Sequence, residues 1–252
     1  MEKRKFTEVF SEQVKTVGLG KALSWNIYWE ANRPLRWLRY KLDTKRDLRI
    51  CGVPLEGGDL SQFRESHGAT NSLSTPYGAL EVVLGSQKFT EDDAIIDIGC
   101  GHGRVLAYLV DSGFPGRIAG VELNPDVASF ARNWLKRYPE VELIEGDAFE
   151  QDLSRFNVFY LWKPMLSDIF KRFVVKLEKE AVRPITMYYV MDFETASFFQ
   201  NRPGWHEVSR TEVHRVHGLP VFSRPLCCTV WEYVPGERYQ SAWPLFLLGG
   251  TS

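Results

Sequence analysis

The 252 residues carry 31 Lys and Arg against 32 Asp and Glu, and 44% of them are hydrophobic. That is enough apolar chain for one sizeable α/β core with a small addition, and a net charge of -1 gives no electrostatic reason to expect a nucleic-acid partner. No apolar run of the roughly 18 residues that a spanning helix needs occurs, the charged opening "MEKRKFTEVFSEQVK" lacks the apolar core of a signal sequence, and the cysteines at 51, 100, 227 and 228 fit neither a zinc site nor a disulfide framework, so a cytoplasmic location is expected.

The chain changes character near residue 72. We expect an N-terminal helical or lid segment over 1–72 and a main domain over 73–252. In the first part, "ANRPLRWLRYKLDTKRDLRI" (31–50) holds seven Arg or Lys against two Asp, with Trp25, Tyr28, Trp29, Trp37 and Tyr40 in or near it. The plain reading is a helix that packs its aromatics on the main domain and solvates its arginines. The other is an anion-binding face or a peripheral membrane contact through residues 25–50. "CGVPLEGGDLSQF" (51–63) has the Gly and Pro punctuation of a connector.

In "TPYGALEVVLG", Thr75 reads as an N-cap with Pro76 at the first helical position. "AIIDIG" (94–99) is an apolar run of strand length that stops at glycine, and the helix "RVLAYLVDSG" after it ends at Gly113. "RIAGVEL" (117–123) is a second strand. Asn124 and Pro125 then cap "DVASFARNWLKR", whose Val127, Phe130, Ala131, Trp134 and Leu135 share one face. Strands follow at "VELIEGD" (141–147), "FNVFYLW" (156–162) and "ITMYYV" (185–190), with a helix capped by Ser167 between the last two. "WHEVSR" and "LCCTVWEYV" have no helix between them, which predicts an antiparallel pair. Alternating strands and helices closed by such a pair predict an α/β, doubly wound, mostly parallel sheet.

Ligands of such a sheet bind beyond the carboxyl ends of its strands. Asp97, Glu122 and Asp147 occupy three successive strand ends, one βα unit apart. Glu122, an acceptor-only group, suits the two hydroxyls of a ribose. Asp147 suits an adenine amine, and Asp97 an ammonium. Glycines at 99, 101 and 103 permit close backbone approach, and the helix behind them favours a carboxylate. Their G-x-G-x-G spacing places Arg104 where a dinucleotide fingerprint has its third glycine, and a row of carboxylates would repel a diphosphate. The set describes S-adenosylmethionine.

"DIGCGHGRV", "GVELNP" and "IEGDAF" resemble motif I, the acidic second-strand motif and the post-strand-three motif of class I S-adenosylmethionine-dependent methyltransferases, over about residues 74–235. The chain is similar in particular to small bacterial methyltransferases of undefined substrate, which carry an N-terminal helical segment, a "TPY" element before motif I and an "NPF"-like motif after strand four. The resemblance implies a seven-stranded sheet with its last strand antiparallel. It implies cofactor contacts at Asp97, Gly99, Gly101, Gly103, Glu122, Leu123, Asp147 and Ala148, to which we add Cys100 and Leu161. In that group the "TPY" element lies near the cofactor, which brings in Thr75 for binding and Tyr77 as a catalytic candidate.

Methyl transfer needs alignment and, for a protonated nucleophile, a base, so a strong catalytic signature is not required. Where many amine-methylating relatives have Asp or Asn before Pro, this chain has Lys163-Pro164. A charged lysine cannot accept a hydrogen bond. We therefore expect a hydroxyl or carboxylate oxygen as acceptor atom, with Lys163 as the second catalytic candidate. The expected acceptor is a small or anionic molecule, or one linked to a glycan or lipid. No metal site is expected, and His214-x-x-His217 is not read as one. A non-catalytic S-adenosylmethionine-binding module with a protein partner, and a protein methyltransferase, stand as the other readings.

Overall fold

The computed structural model describes residues 11, 14–15, 18–57, 64–70, 73–192, 196–200, 202–222 and 225–236. Two helices, α1 (Leu19–Ala31) and α2 (Arg33–Ile50), precede a short turn, α3 (Arg64–His67), and α4 (Tyr77–Val83). Then β1 (Ala94–Ile98), α5 (Arg104–Asp111), β2 (Arg117–Glu122), α6 (Pro125–Leu135), β3 (Glu142–Glu145), β4 (Val158–Trp162), α7 (Ser167–Glu180) and β5 (Ile185–Val190) alternate as expected. The last elements are α8 (Ala196–Phe199), β6 (Trp205–Val213), the two-residue strands β7 (Arg215–Val216) and β8 (Leu219–Pro220), and β9 (Leu226–Tyr233).

The sheet has seven strands in the order β3-β2-β1-β4-β5-β9-β6. Its first five are parallel, and β9 runs antiparallel to both β5 and β6. The order reverses direction at β1, and β1 is buried throughout, Asp97 included, as a strand covered on both faces must be. Ile95, Tyr160 and Tyr188 face one core, under α4, α5 and α6. Ile96, Phe159, Leu161 and Met187 face the other, covered by Phe170, Phe173 and Leu177 of α7. The β7–β8 hairpin turns on His217 and Gly218, at φ 50° and 77°, the paired left-handed conformation that a two-residue hairpin demands.

Two expected caps fall elsewhere. Pro76 is the N-cap of α4, because the Thr75 hydroxyl turns inward to Tyr160. Leu166 is the N-cap of α7 and Ser167 its first residue. Asn124 does cap α6, its side chain accepting from the Asp126 amide. The expected boundary near residue 72 is not a break in packing, since Ile50, Cys51 and Leu55 belong to the same core as Ile95 and Leu106.

What joins α2 to the sheet is a buried ion pair. Asp47 is 0% and Arg104 2% exposed. Arg104 Nε donates to Asp47 Oδ1 at 3.1 Å and Nη2 to Oδ2 at 2.7 Å. The same carboxylate accepts the Tyr77 hydroxyl at 2.9 Å and the Leu55 amide at 2.9 Å, and Arg104 Nη2 reaches Glu56 at 2.8 Å. One acid thus takes four hydrogen bonds and leaves none of its partners' charge or polarity stranded. Asp47→Ala removes them together and strands a buried guanidinium. We expect a loss of about 3–5 kcal/mol in denaturant unfolding, with part of it recovered in an Asp47→Leu, Arg104→Met pair, which removes both charges but leaves the Tyr77 hydroxyl and the Leu55 amide without their acceptor; a loss under about 1 kcal/mol would mean the pair is not desolvated.

Candidate functional site

The strand ends at the topological reversal carry the three expected acids. Gly99, Gly101 and Gly103 all take left-handed backbone, at φ 76°, 57° and 88°, which accounts for the glycine spacing. A Cβ on Gly99 would lie 2.9 Å from Pro164, and one on Gly103 would lie 2.9 Å from the Trp134 ring. The loop is tied to β2. The Gly99 and Cys100 amides donate to the Val121 carbonyl at 2.9 and 3.0 Å. The Gly101 amide donates to Glu122 Oε2 at 2.8 Å, and Glu122 Oε1 accepts from the Asn124 amide at 2.9 Å. Glu122 therefore holds the loop as well as facing beyond it, and each of its oxygens keeps a lone pair for a further donor.

Asp97 is buried at the end of β1, and among the described residues no side chain pairs with its carboxylate. Burial first, and the Glu122 carboxylate second, push its pKa well above the usual carboxylate range. Burial likewise raises Glu122, opposed by hydrogen bonds from Asn124 and Gly101. An acid raised by burial and by a neighbouring carboxylate is relieved by a cation. This is the donor set that an ammonium and a ribose fit, so the residues present suit S-adenosylmethionine. Asp147 stands at the end of β3, where its side chain accepts from the Phe149 amide at 2.9 Å, and Ala148 follows in a turn. Leu123 lies between Glu122 and the Asn124 cap.

The other expected residues separate. Cys100 is buried, and burial raises its thiol well above the usual range; only its backbone belongs to the loop. Thr75 is buried beneath the site, 3.4 Å from the Tyr160 hydroxyl, and Tyr160 pairs with Asp97 in the strand register. Leu161 is turned away: it pairs with Ile98, not Asp97, and its side chain lies in the opposite core. The Tyr77 hydroxyl is spent on Asp47, and burial with that carboxylate raises it beyond any use as a base at neutral pH. Its place is structural, and it leaves the catalytic set.

Lys163 sits at φ 38°, a left-handed conformation that costs a non-glycine residue about 1–2 kcal/mol. It is held there by a segment for which the sequence carries no signal. The Thr70 hydroxyl donates to the Lys163 carbonyl at 2.6 Å, and the Thr70 amide donates to the Pro164 carbonyl at 2.9 Å. Ala69 bridges Met165, and the Leu166 amide donates to Gly68 at 2.8 Å. Beside this turn runs an aromatic path. Trp162 meets Phe222 at 6.0 Å, and Phe222 meets Trp29 of α1 at 6.2 Å. The Arg36 guanidinium lies 4.2 Å over the Trp29 ring. The hairpin histidines diverge: His214 meets the Tyr28 ring, and His217 Nε2 lies 3.1 Å from Glu81.

Residues 95–181 match the family model described as a methyltransferase domain. A protein-lysine N-methyltransferase from Saccharolobus islandicus is 27% identical over 173 residues, 66% of this chain and 94% of its own length. A fatty-acid O-methyltransferase from Mycolicibacterium smegmatis is 28% identical over 96 residues, 38% of this chain and 35% of its own. A solved structure of the tRNA methyltransferase TrmK from B. subtilis superposes with a TM-score of 0.50 at 10% identity, covering 62% of this chain and 65% of that one, a likeness of fold.

Two measurements test the site. Glu122→Ala should weaken S-adenosylmethionine binding about 10–100-fold in calorimetry; unchanged affinity removes Glu122 from it. Asp97, protonated over an unusual pH span, should lose its proton when a cationic ligand arrives. Affinity should then rise with pH through that span, and binding should release protons in buffers of different ionisation enthalpy. A proton count of zero would place the ligand's cation elsewhere.

Proposed function

Because the chain is a class I methyltransferase, an enzyme that takes its methyl group from S-adenosylmethionine, what is left open is the acceptor, and we propose that it is an oxygen, carboxylate or hydroxyl, on a small or lipid-linked molecule with an apolar body. The observation that carries this reading is the residue at the turn after β4, Lys163. In the amine-methylating arrangement that the sequence resembles, an Asp or Asn before the proline helps hold the target nitrogen. Here the side chain at that place is a lysine, which cannot accept a hydrogen bond while charged, and Thr70 ties the Lys163 and Pro164 carbonyls into the turn.

Bound at the glycine loop, S-adenosylmethionine supplies a methyl group on a positively charged sulfur, which an oxygen lone pair takes as the carbon–sulfur bond breaks and the sulfur keeps the electron pair. The chain's residues then have three tasks. Asp97, Glu122 and Asp147 hold the donor. Lys163 pairs with an acceptor carboxylate, or lowers the pKa of a hydroxyl. Trp162, Phe222 and Trp29 offer an apolar wall along which the rest of the acceptor lies, with Arg36 at its far end. A carboxylate is already ionised at neutral pH, so no base is needed for it.

The fatty-acid O-methyltransferase relative agrees with an oxygen acceptor, and the protein-lysine N-methyltransferase relative names the rival. The balanced net charge speaks against a nucleic-acid acceptor. Initial rates of S-adenosylhomocysteine release on matched carboxylate, hydroxyl and amine acceptors decide between them. Turnover on the oxygen compounds is expected, and Lys163→Ala should raise the KM of a carboxylate acceptor about tenfold or more, the loss of one charged contact. Turnover on amines alone overturns the proposal.

A further inference from the structure

Helix α2 is built inside out. Its two acids, Asp43 and Asp47, are buried, while Trp37, Leu38, Tyr40, Leu42 and Leu48 are exposed, Trp37 to 62%. At 100° per residue Trp37, Leu38, Leu42 and Leu48 fall within an arc of about 140° that faces away from the acids, with Tyr40 outside it, beside Asp47. Lys41 and Lys45 lie in that arc, Arg33 flanks it, and Arg49, also in it, pairs with Asp111 at 2.8 Å; no acid of the helix lies there. Lys41 lies 5.5 Å over the Trp37 ring.

The helix cannot roll to bury this face. Asp47 is locked to Arg104 and Tyr77. On the same side Arg46 pairs with Glu81 at 2.6 Å and with Asp111 at 2.9 Å. The ion pairs that dock the helix hold its apolar residues outward.

We propose that α2 docks peripherally on an anionic lipid surface. Charge selects this occupant. Large apolar side chains interleaved with cations, with Trp among them, match the boundary between acyl chains and anionic headgroups. A second copy of the chain would oppose like charges across a two-fold axis, because the α2 arc carries cations and no acid. No helix among the described residues is long and apolar enough to cross a membrane, so the contact lies in the plane of the surface. The inference does not depend on the chemistry of the acceptor.

The test uses the full chain in vesicle flotation, with phosphatidylcholine alone and with phosphatidylglycerol added. Binding to the anionic vesicles is expected, and it should fall as salt rises. Lys41→Glu with Lys45→Glu should weaken it on the order of tenfold per reversed charge. Trp37→Ser with Leu48→Ser should abolish it. S-adenosylmethionine affinity, read on the same samples, should be unchanged in all variants, since none of these residues lies in the glycine loop or the strand ends; that control separates lost docking from lost fold. The proposal is overturned if anionic vesicles do not bind at low salt, or if the variants bind as well as the parent. It is equally overturned if sedimentation shows a dimer that Trp37→Ser dissolves, which would make the face an interface between copies.

Discussion

The constraint on which the molecule turns is the desolvated pair of Asp47 and Arg104. Arg104 opens the helix after the glycine loop, so whatever it grips is fixed relative to the cofactor site. It grips the N-terminal helix. A pair so deeply buried gains little net stability over apolar residues of the same size. What it supplies is geometry: the four hydrogen bonds to Asp47 fix the roll of α2, the path of the chain at Leu55 and the rotamer of Tyr77. A dinucleotide fold spends the equivalent position on glycine, to let helix and strand approach. Here the position is spent on anchoring a segment that precedes the sheet.

The opposite strategy operates a few ångströms of chain away. Asp97 has no partner among the described side chains, and its burial with Glu122 beside it costs stability rather than adding to it. Such a cost is tolerable where a ligand removes it. A cation beside Asp97 would offset both the burial and the Glu122 charge that raise it. The two buried aspartates thus stand at two ends of one rule: Asp47 is satisfied by the protein, and Asp97 has no partner among the described side chains.

These differences bear on what could be read from the chain. The strands, their order of appearance, the antiparallel closing pair, the glycine loop and the Asn124 cap were legible because each rests on local pattern: apolar runs, punctuation and periodicity. The face that the Leu161 side chain takes needs register: once Tyr160 is known to stand beside Asp97, alternation alone sends it to the far face. Asp47 sits in a run of alternating charges that reads as a solvated helix face, and its burial depends on an arginine 57 positions later. Thr70 gives no signal at all, since its role is a backbone pairing with the turn after β4. Thr75 looked like a cap because its neighbour is proline, yet the buried Tyr160 hydroxyl competes for the same oxygen.

The same division separates what the fold determines from what it leaves variable. The donor side of the site is made of consecutive strand ends, so a short stretch of sequence specifies it, and the family match falls there, on residues 95–181. The acceptor side, as proposed, is assembled from pieces that the sheet does not dictate: residues 68–70 under the Lys163 turn, α1 and the start of α2, and the β7–β8 hairpin with Phe222. Apart from Trp162 and Lys163, the proposed acceptor groups lie outside the matched stretch. Relatives that transfer methyl groups to different acceptors can therefore share the donor half and differ over most of the other. In this chain both halves meet at Arg104, and a change in how α2 is docked would move Trp29 and Arg36 against Trp162 without touching the glycine loop. On the proposed reading, acceptor choice would rest on Lys163 together with the N-terminal helices that the buried pair holds.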